Sequence, residues 1–376
     1  MHTKEALARV RLSGSRILRP LLVAATLVGC AALCFLARAQ VSATRNALPY
    51  IRIGVLGLFH PHQLMVRAHA GAALVLTVGE KEIVLERSSG LESAGVRISN
   101  GGVLVTAGKH VVRGARVTIR GRQNEPVDFN LSIPGKIERY YHGQLEIDPS
   151  GGNLLAIVTM DLETAVASVL AAENAPDTPP EALKAQAIAT RSYFVASRGR
   201  HHDFDFCDTT HCQFLREPPA PPSPAGRAVA ATSGLVLAYH SQPFAAMYTR
   251  SCNGRTYTPA EVRLTSAAYP YFPVECKYCR EHPVQWVTRL STEDAALLHS
   301  SDERARLRVV RRLGWSAVPS NDFEMRKEGD QFVVNGTGEG HGIGLCQRGA
   351  KAMAEEGANF EQILSHYYPN AMIVRR

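Results

Sequence analysis

No stretch of the 376-residue sequence has the composition of bulk disorder: 45% of residues are hydrophobic and 20% charged, proportions of a chain that builds cores. No internal repeat of useful strength occurs, which leaves an ordinary globular organisation with room for two domains. The glycine-rich segment near the C-terminus matches neither a dinucleotide fingerprint nor a phosphate loop. The one CxxC, Cys276-Lys277-Tyr278-Cys279, lacks a surrounding thioredoxin-like βαβ pattern, which argues against redox catalysis. Strong positive charge is also missing once the N-terminus is set aside. The formal net charge is +8, but Lys4, Arg9, Arg11, Arg16, Arg19 and Arg38 against Glu5 place +5 of it in residues 1–39 and leave +3 for the rest. So small a balance gives no argument for nucleic-acid binding.

The N-terminal excess has its own explanation. A basic segment ending at Arg19-Pro20 precedes an apolar run from Leu21 to Ala37, then the small-x-small site Ala37-Arg38-Ala39. This order reads as a signal peptide over residues 1–39, or as a membrane anchor if it is not cleaved. Leu27-Val28-Gly29-Cys30 resembles a lipoprotein processing site, but apolar residues continue through Leu36, so lipidation ranks second. The expected location is outside the cytoplasm, periplasmic or in the cell envelope, with membrane attachment only through this segment.

Residues 40–48 read as a polar linker. Over 49–138, short β-type runs alternate with turn signals: Ile51 to Leu56, Ala73 to Thr77, Ile83 to Glu86, Val103 to Val105 and Val117 to Arg120. This predicts a small β-rich domain. From 139 to 376 the character changes. Leu154 to Met160 reads as a strand, Asp161 as a helix cap, and Leu162, Val166, Val169 and Leu170 as one apolar helical face. Pro176 ends that helix just past Glu173. Thr178-Pro179-Pro180-Glu181 predicts a capping box starting a second helix that runs to about Ser197. Residues 217–226 read as a loop, and Leu235 to Tyr239 with Phe244 to Tyr248 as a hairpin. The stretch 250–330 looks less regular. A strand over Phe332 to Val334 and helices over Leu345–Glu356 and Phe360–Tyr368 close the chain.

Glu173 is the carboxylate that stands out. A helix C-terminus disfavours a second negative charge, and Ala171, Ala172 and Ala175 solvate it poorly. Both effects raise a carboxyl pKa above the ~4.3 of a free Glu, toward general acid–base work. Most glutamates at helix ends are nonetheless simply solvated. Lys184 and Arg191, two turns apart on one helix face, read as lining a groove for a polar polymer, as neutralising Glu173, or as a solvated cationic face.

The densest cluster runs from His201 to Gln213. Cys207, His211 and Cys212 with one of His201 or His202 offer four zinc ligands, and a Cys207–Cys212 disulfide is the alternative in an exported chain. Cys276 and Cys279, with Cys252 upstream and His282 behind, read as a second metal knuckle or part of a disulfide set, in either case structural. His341 lies in Gly338-Glu339-Gly340-His341-Gly342-Ile343-Gly344, where glycines permit close approach of substrate. Cys346, inside a predicted helix, reads as buried and inert rather than nucleophilic.

With these segments laid out, the chain resembles the stage II sporulation protein D family, which includes amidase-enhancer proteins. The resemblance rests on Asp161-Leu162-Glu163 through Glu173, EALKAQAIATRSY at 181–193, CDTTHCQ at 207–213, HGIGLCQRGA at 341–350 and SHYYP at 365–369. It departs at Asn174, where the family usually has Met, and at Cys346, where many relatives carry Ser. It implies an α+β fold with a cleft-bearing catalytic domain behind the β-rich one. It also implies peptidoglycan lytic transglycosylase activity with Glu173 as the catalytic acid and base, and a structural zinc among His201, His202, Cys207, His211 and Cys212. Lys184, Arg191, Gln213, His341 and Gln347 are then the expected substrate-binding residues. The partner is peptidoglycan glycan, with a cell-wall amidase as a further partner. The rival readings are a non-catalytic glycan-binding activator of such an amidase and a zinc-dependent hydrolase.

Overall fold

The computed structural model describes residues 50–265 and 268–376; the expected leader, its Cys30 and the whole linker lie outside them. Among the described residues no helix is long and apolar enough to cross a membrane. The fold is α+β. Twelve strands form one large sheet: β1 (Tyr50–Val55), β2 (Gln63–Ala68), β3 (Ala73–Val78), β4 (Lys81–Glu86), β5 (Ser93–Ser99), β6 (Gly102–Ala107), β7 (His110–Gly114), β8 (Val117–Arg120), β9 (Val127–Ile133), β10 (Ile137–Ser150), β11 (Asn153–Asp161) and β12 (Phe206–Cys207). The main path is β12-β1-β11-β10-β9-β2-β5-β6-β7, and β3, β4 and β8 branch from β10. Alternation drives the pleat. In β9, Val127, Phe129, Leu131 and Ile133 point inward while Asp128, Asn130 and Ser132 do not.

The boundary expected at residue 138 falls inside β10, a 14-residue strand. One buried cluster runs without interruption from Ile51 to Val229, so both sides of that boundary share a core. Several strands went unpredicted because their outward positions are polar and their inward ones mixed. In β10 the buried set is Arg139, Tyr141, Gly143, Leu145 and Ile147, which includes a charge and a glycine.

Helix α1 (Leu162–Glu173) follows β11 directly. Asp161 caps it, its carboxylate accepting from the Thr164 N–H at 2.9 Å. Leu162, Ala165, Val166, Val169 and Leu170 bury one face, each large side chain contributing about 1.5–3 kcal/mol. At the other end the Asn174 N–H returns to the Leu170 carbonyl, and Pro176 stops continuation. Glu173 is therefore the last helical residue.

Helix α2 (Pro180–Ala196) is buried on nearly every side, because Ala182, Ala185, Ala187 and Ala189 let neighbouring elements come close. The expected capping box does not form. The N-cap is Pro179 without a side-chain bond, and Glu181 instead holds Lys184 and the Phe360 N–H. Helix α3 (Pro224–Ala231) begins inside the stretch expected to be a loop, with Ser223 as its cap. The 250–330 region is more regular than expected. It holds α4 (Lys277–Glu281), α5 (Thr292–Ala296), α6 (Glu303–Leu313) and a three-stranded sheet of Gln285–Ser291, Gln331–Thr337 and Asp322–Glu328. Strand Leu235–Tyr239 pairs with Met372–Arg375 and a short return at Gln242–Pro243, whereas Tyr248–Thr249 pairs with Leu345–Cys346. Helices α7 (Gln347–Glu355) and α8 (Phe360–Tyr367) pack on α2.

Candidate functional site

The end of α1, the middle of α2 and the start of α7 meet at Glu173. Gln347, the first residue of α7, donates from Nε2 to Glu173 Oε2 at 3.1 Å. Gln186 of α2, itself buried, points Nε2 at the same oxygen from 3.4 Å. The Phe214 backbone donates to the carboxylate as well, and the Arg250 cation lies close enough to act on it. Part of the Glu173 side chain meets solvent, but its carboxyl sits deep among protein atoms. That desolvation is the largest influence and pushes the pKa up to about 7, against the smaller lowering effects of Gln347, Arg250 and Phe214. The carboxyl is thus poised to exchange a proton near neutrality.

Gln213 is hydrogen-bonded to Tyr248, a side chain close enough to feel the Glu173 charge. Its buried amide oxygen accepts from the Tyr248 hydroxyl, and Tyr248 is held un-ionised mainly by burial, with the Glu173 charge adding to that. Gln186, Tyr248 and Arg250 had no sequence argument of their own. For Gln186 a signal existed: an amide set between Ala185 and Ala187 in an alanine-rich helix.

Other expected binding residues lie elsewhere. Arg191, expected on a substrate groove, is 0% exposed. Its guanidinium makes a two-pronged pair with Glu163, at 2.8 and 2.6 Å, and donates to the Leu235 and Val229 carbonyls. It ties α1, α3 and the Leu235–Tyr239 strand together and has no free edge for a polymer. Lys184 pairs with Glu181 at 2.6 Å and lies over the Phe360 ring, so it bridges α2 to α8. His341 accepts from the Ile343 N–H at 3.0 Å, and burial lowers its pKa. It lines a small cavity with Asn253, Tyr257 and Asp322, and Glu173 is not among the residues around that cavity.

The Cys/His segment is fastened to the edge of the large sheet. β12 pairs in parallel with β1, and buried Asp208 accepts from the Leu56 N–H and from Arg139 at 2.6 Å. Gly54 has no Cβ because the Phe204 ring occupies that space, 2.7 Å from where one would lie. Within the segment His201, Cys207, His211 and Cys212 converge, with ligand atoms all within 4.8 Å of one another. His201 Nε2 lies 3.2 Å from Cys212 Sγ, and His211 Nδ1 lies 3.7 and 3.5 Å from the two sulfurs. His202 is outside the group, fully in solvent and paired with Asp203. Of the two histidines offered by the sequence, geometry takes His201.

What fold and site define is an α+β protein with a carboxyl that burial raises toward neutrality and amide donors orient, beside a Cys/His cluster. Residues 150–239, which carry Glu173, Gln186, Gln213 and that whole cluster, match the family Stage II sporulation protein, SpoIID. The chain is 29% identical over 260 residues to the stage II sporulation protein D of Bacillus amyloliquefaciens, covering 57% of this chain and 74% of that one. It is 28% identical over 267 residues to an uncharacterised protein of Brachyspira hyodysenteriae, 62% and 72% of the two chains. It is 24% identical over 274 residues to the amidase enhancer of Bacillus subtilis, 51% of this chain and 38% of that one. The chain is therefore similar to stage II sporulation protein D and amidase-enhancer proteins, with the family match itself lying over residues 150–239.

Proposed function

We propose that this protein is a lytic transglycosylase acting on the glycan strands of bacterial peptidoglycan in the cell envelope, with Glu173 as its general acid and then its general base. The observation that carries the reading is the Glu173 carboxyl, raised to about 7 by burial and oriented by Gln347 and Gln186. A single carboxyl can serve both steps. Protonated, it donates to the glycosidic oxygen between N-acetylmuramic acid and N-acetylglucosamine as the bond to the anomeric carbon breaks. As carboxylate it then accepts the proton of the muramic acid's primary hydroxyl, whose oxygen bonds to that carbon. The product is an anhydro-muramic end, no water is consumed, and the enzyme regains its proton. Ordinary glycosidases divide this work between two carboxylates.

The Cys/His cluster fits a structural zinc. Two thiolates and two imidazoles within 4.8 Å of one another are a closed four-ligand set with no open position for substrate. Bound there, zinc would supply a crosslink and no Lewis-acid chemistry. His201, Cys207, His211 and Cys212 would pin the segment that leads directly into Gln213 and Phe214, and so hold the Gln213–Tyr248 bond and the Phe214 backbone donor to Glu173.

The name amidase enhancer, borne by a relative at 24% identity, favours a second reading: a glycan-binding protein that stimulates a cell-wall amidase. Mass spectrometry of sugars released from intact and peptide-free strands, by wild type beside Glu173→Gln, separates the two. Anhydro-muramic products that vanish in the variant are expected. Hydrated reducing ends would refute the mechanism, and no cleavage by either protein would favour the amidase partner.

A further inference from the structure

We propose that Cys252, Cys276, Cys279 and Cys346 form a second zinc site, a buried four-thiolate centre that anchors the start of α7 and with it Gln347. The four residues come from three separate places in the chain: the loop after strand Tyr248–Thr249, the beginning of α4, and the residue that caps α7. Their sulfurs all lie within 4.8 Å of one another, and those of Cys279 and Cys346 are 3.5 Å apart. Four sulfurs around one tetrahedral zinc, each ~2.3 Å from the metal, would be separated by about 3.8 Å. Two disulfides would instead draw the sulfurs into pairs at ~2.05 Å. None of the six described cysteines is bridged.

The surroundings suit thiolates. The Gly349 N–H donates to Cys346 Sγ at 3.5 Å, the Tyr367 hydroxyl lies 3.4 Å from Cys276 Sγ, and the Ser251 hydroxyl 3.6 Å from Cys279 Sγ. Such outer donors orient metal-bound sulfur and spread its charge. Gly349 has to lack a Cβ, which would sit 2.5 Å from Cys276 Sγ. All four cysteines are at most 2% exposed and lie inside the second apolar cluster. A closed centre of this kind is structural. Its reach into the active site is covalent: Cys346 precedes Gln347, the donor on Glu173.

The test is elemental analysis of purified protein, supported by thiol counting and by cobalt substitution. Wild type should carry two zinc per chain, falling to one in Cys276→Ser/Cys279→Ser and to a different one in His201→Ala/Cys207→Ser. Cobalt in the latter variant should show the intense thiolate charge-transfer bands of an all-sulfur tetrahedral site. If wild type holds a single zinc that persists in Cys276→Ser/Cys279→Ser and is lost in His201→Ala/Cys207→Ser, this proposal fails and the Cys/His one stands. The reverse pattern supports this site and removes the other. Should the serine variant not fold, the wild-type stoichiometry and the cobalt spectrum decide. Peptide mapping that finds Cys276 or Cys279 in a disulfide overturns the proposal.

Discussion

Replacing Glu173 with Gln tests the desolvated carboxyl in two independent ways. The native pKa of about 7 stands against an unfolded value of 4.5. Between these values the native protein holds a proton that the unfolded chain has released, so stability falls as pH rises through the window and levels off above it. Below pH 4.5 both states are protonated and the carboxyl carries no penalty. The separation of the two values corresponds to about 3 kcal/mol at pH 8. Gln keeps the shape of the neutral carboxyl, can still accept from Gln347 and Gln186, and never ionises. Urea unfolding of both proteins from pH 4.5 to 8 should show a difference that grows with pH, the variant becoming more stable by about 3 kcal/mol at the upper end. Other groups titrate equally in both proteins and cancel. Glycan cleavage should move the opposite way, lost by roughly 100-fold or more in the variant. In wild type the rate should decline above about pH 7, as the acid form disappears. A stability difference that stays flat across the range would refute the claim that Glu173 is desolvated, whatever the activity does.

Gln347→Leu removes the main hydrogen bond that lowers the Glu173 pKa, so the alkaline limb of the pH–rate profile should move to higher pH as the rate at neutrality falls. Arg191→Leu leaves Glu163 without its buried partner and should cost roughly 3–5 kcal/mol in chemical denaturation. At temperatures where this variant stays folded, glycan binding should be unchanged, because Arg191 has no exposed edge. His202→Ala should retain full metal content while His201→Ala loses the Cys/His equivalent, read by elemental analysis.

Local rules made much of this legible. Asp161, the apolar positions from Leu162 to Leu170, and Pro176 are enough to bound α1 and to leave Glu173 at its last turn. The helix end and the surrounding alanines anticipate the direction of its pKa, although burial contributes most. Arg191 was misread because a seven-residue spacing puts two cations on one face without saying which face is covered. The helix is covered on almost all of them. The capping box failed for a related reason: Glu181 found stronger partners in Lys184 and in the Phe360 N–H, 179 residues away.

Local pattern was enough for the β-type runs before residue 138, the helix that presents Glu173, and the clustering of metal-type ligands in 201–212, all of which follow from contacts or propensities within about a dozen residues, whereas the α+β class came from the family resemblance. Only tertiary structure decided what surrounds those groups. Gln347 is 174 residues from Glu173, Tyr248 is 35 from Gln213, and Cys346 is 67 from Cys279. Hydrogen bonds and sulfur convergence across such separations depend on how α1, α2 and α7 pack, and packing is settled by the burial of whole faces rather than by any local pattern. Glu173 was therefore visible as a residue type at a helix end, while its proton affinity belongs to the assembled core.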